Sequence, residues 1–223
     1  MVAHPDDVEY GAASAVARWT AQGKWIGYVL ASRGEAGIDG MDPADAGPLR
    51  EAEQRTAAAS VGVHDVEFLD HPDGHIVYGL DLRRDIAAAI RRWRPEVVFS
   101  LNYRLTFGGG GVNMADHRAV GLAVLDAARD AGNRWVFTEL LDAGLEPWAG
   151  TRRACFAASP HPTHAVDVSQ YVEAGIGSLA CHRTYLAGLH SDVDPEAFLR
   201  ENLAAAGEQA GVAAAVTFEV FDL

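Results

Sequence analysis

The stretch Ala3-His4-Pro5-Asp6-Asp7, near the start of the chain, is the one around which the rest of the sequence is interpreted. Pro5 fixes its own φ and interrupts regular backbone hydrogen bonding, which predicts a loop that leaves a strand and enters a helix. His4 and Asp7 offer an imidazole nitrogen and a carboxylate three residues apart, and Asp6 is a second carboxylate that faces elsewhere. Imidazole and carboxylate groups are frequent zinc ligands. The alternative is an ordinary helix start, where an Asp caps free amides beside a histidine without a function.

The length and composition of the chain indicate a single domain spanning residues 1–223. A chain of 223 residues is long for one α/β domain and short for two, and 49% of its residues are apolar. Its formal charge, 18 − 31 = −13, argues against a nucleic-acid partner, because proteins that bind the phosphate backbone need a basic surface. A neutral small-molecule substrate is compatible with this charge.

The cysteines and the hydropathy pattern indicate a soluble, cytoplasmic protein. Cys155 and Cys181 form no Cys-x-x-Cys pair and are too few for a disulfide framework, so both are expected to be free thiols. No apolar run is long enough to span a bilayer and no signal peptide precedes the first motif, so no membrane partner is expected. The sequence leaves a homo-oligomer open.

A strand–helix–strand succession at the start of the chain predicts a parallel sheet. Residues 12–22 have helical spacing, and residues 25–31 form a short apolar run of strand length. Such a βαβ unit has a right-handed crossover. Only Met1 and Val2 precede the first motif, so the first strand is expected to be truncated. We therefore expect a three-layer αβα domain with a mostly parallel sheet and a Rossmann-like N-terminal half.

The remainder of the chain alternates further strands and helices. Residues 38–48 are expected to form a loop that acts as a lid, because Asp, Gly and Pro occur throughout this segment. The expected strands span residues 66–69, 96–101, 137–141, 154–158, 166–168 and 213–220, and the expected helices span residues 50–61, 81–94, 114–131, 170–189 and 195–210.

Polar residues follow several predicted strands at the point where each strand ends. Arg33 and Glu35 follow the strand over residues 25–31, and His117 lies in the first turn of a helix just past another strand. Because ligands bind at the carboxyl ends of parallel strands, we expect these residues near the first motif. A charged turn and an ordinary polar first-turn histidine are the alternatives.

His4, Asp7 and His117 together form a candidate metal site with two imidazoles and one carboxylate. Three protein ligands leave a fourth position open, as in catalytic zinc sites. Zinc there would lower the pKa of its water and polarise a carbonyl, and Asp6 would be free to act as general base. Fe²⁺, Mn²⁺ or Co²⁺ would fit this ligand set almost as well. This chemistry hydrolyses amides or esters without a covalent intermediate.

Five motifs occur in a fixed order along most of the chain. They are Ala3-His-Pro-Asp-Asp7 with Glu9, Arg33-Gly-Glu-Ala-Gly37, Arg50-Glu-Ala-Glu53, Pro72-Asp-Gly74 and Asp116-His117. In this combination the chain resembles the LmbE-like, PIG-L-type N-acetylglucosaminyl deacetylases, which include the deacetylases of the mycothiol and bacillithiol pathways. The ordered combination is far more specific than any one motif.

The resemblance implies a zinc-dependent hydrolase. His4, Asp7 and His117 would bind one zinc ion per chain, and Asp6 would be the general base. The expected reaction removes an acyl group, expected to be acetyl, from an N-acetylglucosamine-type conjugate or a related N-acyl amine. A metal-dependent amidase acting on a thiol or natural-product conjugate is the second interpretation. A nucleotide-binding module is a distant third, because neither glycine cluster has dinucleotide spacing.

The resemblance also implies roles for residues that do not bind the metal. Arg50 and Asp73 match the family's substrate-binding Arg and Asp, which would hold sugar hydroxyl groups. Asp116 and Asn113 are expected to support the metal ligands without binding the metal. The complete expected substrate-binding set is Arg50, Asp73, Glu35 and Arg33.

One position departs from the family pattern. Family members usually carry His-x-Asp/Asn-His before the helix, and the first His is thought to stabilise the oxyanion, but this chain has Met114 there. Methionine donates no hydrogen bond, and loss of such a donor typically costs about a hundredfold or more in rate. Either another residue donates the hydrogen bond to the oxyanion, or the substrate differs, or the chain is a catalytically impaired zinc- or sugar-binding protein. The candidate substitutes are Asn113, His75, His161 and His182.

Overall fold

Short strands alternate with helices through residues 1–189 and 193–223, which the computed structural model describes. The strands are β1 (Gly27–Leu30), β2 (Asp65–Phe68), β3 (Val97–Leu101), β4 (Arg153–Ala157), β5 (His164–Asp167) and β6 (Ala215–Asp222). The helices are α1 (Asp7–Gly11), α2 (Ala13–Ala21), α3 (Pro43–Ser60), α4 (Leu80–Trp93), α5 (Ala115–Asp130), α6 (Glu139–Asp142), α7 (Val172–Leu179), α8 (Arg183–Gly188) and α9 (Pro195–Ala210).

Residues 1–3 lie between β1 and β3 and lead directly into the first motif. Val2 forms a parallel bridge with Leu30 of β1. The amino group of Met1 donates a hydrogen bond to the carbonyl of Phe99 in β3 at 2.6 Å. This segment therefore joins the β1–β2 pair to the larger sheet and places the first motif at the sheet edge.

The strands form a two-stranded parallel sheet and a four-stranded mixed sheet, which the first residues of the chain connect. β1 pairs with β2 in parallel, and β3 pairs with β4 in parallel. β6 lies antiparallel between β4 and β5, so the larger sheet has the order β3-β4-β6-β5. The loops that follow β1, β2 and β3 consequently meet at one edge. The predicted class, an α/β fold with a Rossmann-like N-terminal half, is confirmed.

Apolar residues on both faces of the sheet form the core. On one face, Ile86 of α4 and Val120 of α5 pack with Phe156 of β4. On the other face, Val16 of α2 packs with Leu30 of β1. Burial of each such side chain contributes about 1.5–3 kcal/mol. The helices thus cover both sides of the sheet, as a three-layer domain requires.

Helix α3 begins earlier than the sequence suggests, so the predicted loop over residues 38–48 is wrong from Pro43 onward. Asp42 caps the helix by accepting a hydrogen bond from the Ala44 amide at 2.9 Å. Pro43 suits the first turn, where a backbone amide has no partner within the helix. Asp and Pro occur both in loops and at helix starts, so the sequence pattern alone does not distinguish the two.

Two further predicted elements are wrong. Residues 137–141 form no strand, because Phe137 has φ of 56° and the short helix α6 follows, with Leu140 buried. A buried helical turn and a strand give the same short apolar run in a sequence. The single helix predicted over residues 170–189 is two helices, α7 and α8, with a turn that ends at His182.

Most other predicted elements are confirmed to within a few residues. Helix α9 agrees at both ends, because Asp194 caps its start and Gly211 ends it with φ of 73°. Cys155 and Cys181 are free thiols, as expected. Throughout the part of the chain that the structure describes, every helix is too short or too polar to cross a bilayer.

Candidate metal centre

Three buried side chains meet at the carboxyl edge of the parallel strands. His4 Nδ1 lies 3.2 Å from His117 Nε2. Asp7 Oδ1 lies 3.0 Å from the same His117 nitrogen and 3.7 Å from His4 Nδ1. The loop before α1 carries His4, whereas the first turn of α5 carries His117. The fold thus brings together two motifs that are more than a hundred residues apart in the chain.

Two carboxylates lie beside Nε2 of His4, the ring nitrogen opposite the one that faces His117. Its Nε2 lies 3.0 Å from Asp73 Oδ1 and 3.3 Å from Asp116 Oδ2. Carboxylate oxygens only accept, so Nε2 carries the hydrogen and Nδ1 faces the other two ligand candidates. Burial alone would lower the pKa of His4, but hydrogen bonds to Asp116, Asp7 and Asp73 outweigh it and raise the pKa to about 12. This part of the site strongly favours positive charge.

His117 is held in a similar way by an amide. Its Nδ1 lies 3.0 Å from Asn113 Oδ1. The Asn113 side-chain nitrogen donates to the carbonyls of Asn102 at 2.7 Å and Arg104 at 3.0 Å, which fixes the orientation of the amide. Nδ1 of His117 therefore carries a hydrogen, and its Nε2 faces Asp7 Oδ1 at 3.0 Å.

Asp7 divides its two carboxylate oxygens between the backbone and the cluster. Oδ2 accepts hydrogen bonds from the amides of Ala3 and His4, each at 2.9 Å. Oδ1 faces the two histidines. Burial would raise the pKa of Asp7, but His117 and His4 outweigh it and hold the pKa well below its usual range. Asp7 is therefore an anionic ligand candidate.

The atoms at the centre of the cluster are those that can bind a cation when both histidine rings are neutral. His4 Nδ1, His117 Nε2 and Asp7 Oδ1 lie within 4.8 Å of one another. Converging lone pairs are stabilised by a cation, and a His₂Asp set suits a metal such as zinc. A second group, His4 with Asp73 and Asp116, shares His4 through its other nitrogen. Carboxylates in that position orient histidine ligands in metal sites. The residues present fit a metal ion.

Asp6 lies beside this cluster in an unusual backbone conformation. Its φ of 88° falls in the left-handed region, which a residue other than glycine rarely adopts. Oδ1 of Asp6 lies 3.3 Å from Nη2 of Arg50. Burial raises the pKa of Asp6 to about 6, although the charge of Arg50 opposes the shift. Burial thus makes this carboxylate a stronger base than an exposed aspartate.

Arg50 is buried and bound to the protein's own groups. Its guanidinium donates to the carbonyls of Pro5 at 2.7 Å and Gly34 at 2.8 Å. The ring of Tyr185 stacks on the guanidinium, with 3.9 Å between the guanidinium carbon and the ring centroid. A Cβ at Gly34 would lie 2.3 Å from Nη1 of Arg50, so only glycine permits this approach. These contacts favour a role for Arg50 in holding Asp6.

The loop over residues 72–76 closes the opposite side of the site. Asp73 Oδ2 accepts from the Ala36 amide at 2.9 Å, and Glu35 Oε1 accepts from the Asp73 amide at 2.9 Å. The Asp116 carboxylate accepts from the amides of Gly74 at 2.7 Å and Ile76 at 3.3 Å. Asp73 and Glu35 are thus brought to the cluster and joined to each other.

Arg33 is paired with two carboxylates outside this cluster. It donates to Glu51 at 3.1 Å and to Asp70 at 2.8 Å, and Asp70 is an exposed residue. Of the four residues predicted to bind substrate, Arg33 is the one whose charge is paired with carboxylates at the protein surface, those of Glu51 and Asp70.

A sequence model of the family described as PIG-L, GlcNAc-PI de-N-acetylase, matches residues 1–128. This range includes every residue of the cluster. The chain belongs to the PIG-L family. The resemblance inferred from the five motifs is therefore confirmed, and the chain is placed among the N-deacetylases.

Two curated relatives of this PIG-L chain are deacetylases of acetylated amino sugars by name. Diacetylchitobiose deacetylase of Thermococcus kodakarensis is 28% identical over 183 residues, which cover 81% of this chain and 67% of the relative. The 1D-myo-inositol 2-acetamido-2-deoxy-alpha-D-glucopyranoside deacetylase of Kineococcus radiotolerans is 30% identical over 171 residues, which cover 58% of this chain and 46% of the relative. The matches thus span about two thirds of one relative and less than half of the other.

Solved structures share the fold of this PIG-L chain. N,N'-diacetylchitobiose deacetylase from Pyrococcus horikoshii has a TM-score of 0.89 at 22% identity, covering 99% of this chain and 81% of that one. GalB, the 4-carboxy-2-hydroxymuconate hydratase from Pseudomonas putida KT2440, has a TM-score of 0.79 at 19% identity, covering 98% and 93%. These identities establish the fold alone, and a hydratase shares it, so the reaction has to be argued from the site.

Sequence reasoning missed one buried polar residue of this PIG-L chain, Gln54, and did not predict the burial of His182 beside Glu9. Gln54 is fully buried and accepts a hydrogen bond from the Asp6 amide at 2.9 Å. The available signal was its spacing, because a polar residue one turn after Arg50 shares a helix face with it. His182 lies 3.6 Å from Glu9 and is also fully buried.

Proposed function

We propose that this PIG-L chain hydrolyses the acetyl amide of an N-acetylglucosamine-type conjugate. The observation that supports the proposal is the convergence of His4 Nδ1, Asp7 Oδ1 and His117 Nε2 beside the carboxylate of Asp6. The reaction consumes one water and breaks the C–N bond, giving acetate and the free amine. The names of the two relatives support a sugar substrate, and a non-sugar N-acyl amine is the alternative within the same chemistry.

We infer that zinc is the metal, held by His4, Asp7 and His117. A zinc ion bound there would polarise the acyl carbonyl and lower the pKa of a water molecule. Fe²⁺, Mn²⁺ or Co²⁺ would suit the same donors. The protein contributes by binding the opposite nitrogen of each histidine, so that a neutral ring would direct its lone pair at the cation.

Asp6 is the proposed general base. It takes a proton from the attacking water and returns a proton to the leaving amine nitrogen, so no covalent bond to the protein forms. A carboxylate whose pKa is raised to about 6 is largely ionised at pH 7 and is basic enough to accept that proton. Arg50 keeps the carboxylate in place at 3.3 Å.

His75 is the proposed donor to the oxyanion in place of the histidine that Met114 replaces. His75 is exposed, and its two neighbours Gly74 and Ile76 are both fastened to Asp116 by their amides. Its Nδ1 lies 3.1 Å from the Asp73 carbonyl and donates to it. A protonated His75 would therefore present Nε2–H outward.

Two of the other candidate donors are buried away from a substrate. Asn113 is buried and uses its side chain on His117, Asn102 and Arg104. His182 is fully buried and lies 3.6 Å from Glu9. Neither side chain is free to turn toward a substrate carbonyl.

The sugar itself is proposed to contact the loop that carries Asp73. Asp73 is within 3.0 Å of His4, and Glu35 binds the backbone of the same loop. Hydroxyl groups beside the scissile amide would meet these carboxylates. Arg50 and Arg33 remain in the proposed set, with Arg50 acting mainly through Asp6 and Arg33 at the outer edge.

Release of acetate from N-acetylglucosamine and from N,N'-diacetylchitobiose tests the proposal. The zinc-loaded protein is expected to release acetate, and Asp6→Asn is expected to lower kcat by about 10²–10⁴-fold. Asp39→Asn is the control for loss of one negative charge, because Asp39 is exposed. Unchanged turnover in Asp6→Asn would remove Asp6 from the mechanism, and turnover confined to non-sugar N-acyl amines would favour the amidase interpretation.

A further inference from the structure

The backbone of Asp6 is held in place by a side chain from another helix. Asp6 has φ of 88° and ψ of −19°, a left-handed conformation that is strained for a residue with a Cβ. Its amide donates to Oε1 of Gln54 on α3 at 2.9 Å. A strained conformation persists only where surrounding contacts determine it, and this hydrogen bond is one such contact.

The orientation of the Gln54 amide is set by Glu9. The side-chain nitrogen of Gln54 donates to Glu9 Oε1 at 3.0 Å. Because a carboxylate only accepts, the nitrogen of Gln54 must face Glu9 and its oxygen must face Asp6. Ser178 adds a hydrogen bond to the same Glu9 oxygen at 3.4 Å. These groups are buried, so water competes for none of these bonds.

Helix α3 therefore holds Asp6 at two points. Arg50 contacts the Asp6 carboxylate, and Gln54, one turn further along the helix, contacts the Asp6 amide. The two contacts together define both the position of the peptide and the direction of the side chain. Gln54 is fully buried and so has no access to a substrate.

We propose that Gln54, oriented by Glu9, is a positioning residue for the general base Asp6. The inference rests on the proposed role of Asp6. Gln54 keeps the Asp6 peptide left-handed and thereby aims its carboxylate at the water to be deprotonated. Because Gln54 touches neither substrate nor metal ligands, its removal affects the chemical step rather than substrate or metal binding.

Gln54→Met tests this role, because methionine has a similar length and cannot accept from the Asp6 amide. In the zinc-loaded protein acting on N,N'-diacetylchitobiose, kcat is expected to fall about 10–100-fold, since misplacement by about 1 Å costs up to about 10²-fold. KM and zinc content per chain are expected to stay within about twofold of wild type. Ser178→Ala is the matched control, as it removes a buried hydrogen bond of the same network but leaves the contact between Gln54 and Asp6.

A double-mutant cycle separates positioning from general damage. If Gln54 acts through Asp6, adding Gln54→Met to Asp6→Asn lowers kcat no further. If the two substitutions instead lower kcat by independent factors that multiply in the double variant, the inference is overturned. Wild-type kcat in Gln54→Met with a strong loss in Asp6→Asn would overturn it too and leave the proposed function standing. Unchanged kcat in Asp6→Asn would instead remove the proposed function.

Two further measurements make the test independent of the substrate and of folding. A crystal structure of Gln54→Met is expected to show Asp6 outside the left-handed region or its carboxylate displaced, and an unchanged Asp6 would refute the inference. If Gln54→Met does not fold, the double variant Gln54→Glu/Glu9→Gln replaces it in the test. In that variant the side chain at position 54 accepts from the Asp6 amide, and the side chain at position 9 donates to position 54. This double variant is expected to recover kcat relative to Gln54→Glu alone, and no recovery in a folded protein would refute the inference.

Discussion

Nδ1 of His4 lies 3.2 Å from Nε2 of His117, and these are the two ring nitrogens that face the centre of the cluster. The opposite nitrogen of each ring is bound to an acceptor, either the carboxylates of Asp73 and Asp116 or the amide oxygen of Asn113. Both rings are thereby prepared for a cation. The binding of a metal should consequently be visible in the stability of the folded protein.

Zinc is expected to raise the thermal midpoint of the protein. A ligand present at about one hundred times its dissociation constant stabilises the native state by about 2.7 kcal/mol. In a protein of this size that corresponds to a rise of about 5–10 °C. Differential scanning calorimetry with zinc and with a chelator measures the shift. His117→Ala should lose the zinc-dependent rise, and a rise that persists in this variant would place the metal elsewhere.

Asn113 is expected to control the affinity for the metal. Asn113→Ala leaves Nδ1 of His117 without its acceptor, so the ring loses both its orientation and its preferred tautomer. Zinc affinity should fall about 10–100-fold, as is typical when such a supporting contact is lost. Competition with a chromophoric chelator measures the change. Asn133→Ala is a matched control, because the Asn133 side chain accepts from the Trp135 amide instead.

His75 is expected to donate the hydrogen bond to the oxyanion that Met114 is unable to donate. His75→Ala should lower kcat by about 10²–10³-fold with little change in zinc content, because one donor to the oxyanion is removed. Met114→His in the His75→Ala background should recover part of the rate, since Met114 is exposed at the start of α5 and tolerates a histidine. Steady-state kinetics of the single and double variants decides the matter. Wild-type kcat in His75→Ala would assign the oxyanion to another donor.

Much of the site was predictable from sequence because its residues lie in short motifs. His4, Asp6 and Asp7 are almost contiguous, and the spacing of strands and helices places His117 at the same sheet edge. The start of α3 was not predictable in the same way, because Pro43 and Asp42 favour both loops and helix ends.

The contacts that hold the proposed base were beyond sequence reasoning. Asp6 is left-handed without being a glycine, so composition gives no sign of its φ of 88°. The hydrogen bond from its amide reaches Gln54, 48 residues away, and depends on how α3 packs against α1. Long-range contacts of single buried polar residues carry no periodic pattern that a sequence would display.

Glu219 is expected to make stability depend on pH in the acidic range. Burial would raise its pKa, but hydrogen bonds from Arg104 and Ser159 outweigh it, so the pKa lies below its usual value. A depressed carboxyl pKa stabilises the folded state above the unfolded pKa of about 4.3, and the contribution is lost as pH falls through the folded value. Urea unfolding of wild type and Glu219→Gln should therefore differ more at pH 7 than at acidic pH, with the difference shrinking as pH falls below about 4.3. A difference that is the same at both pH values would mean that packing, rather than the charge of Glu219, is responsible.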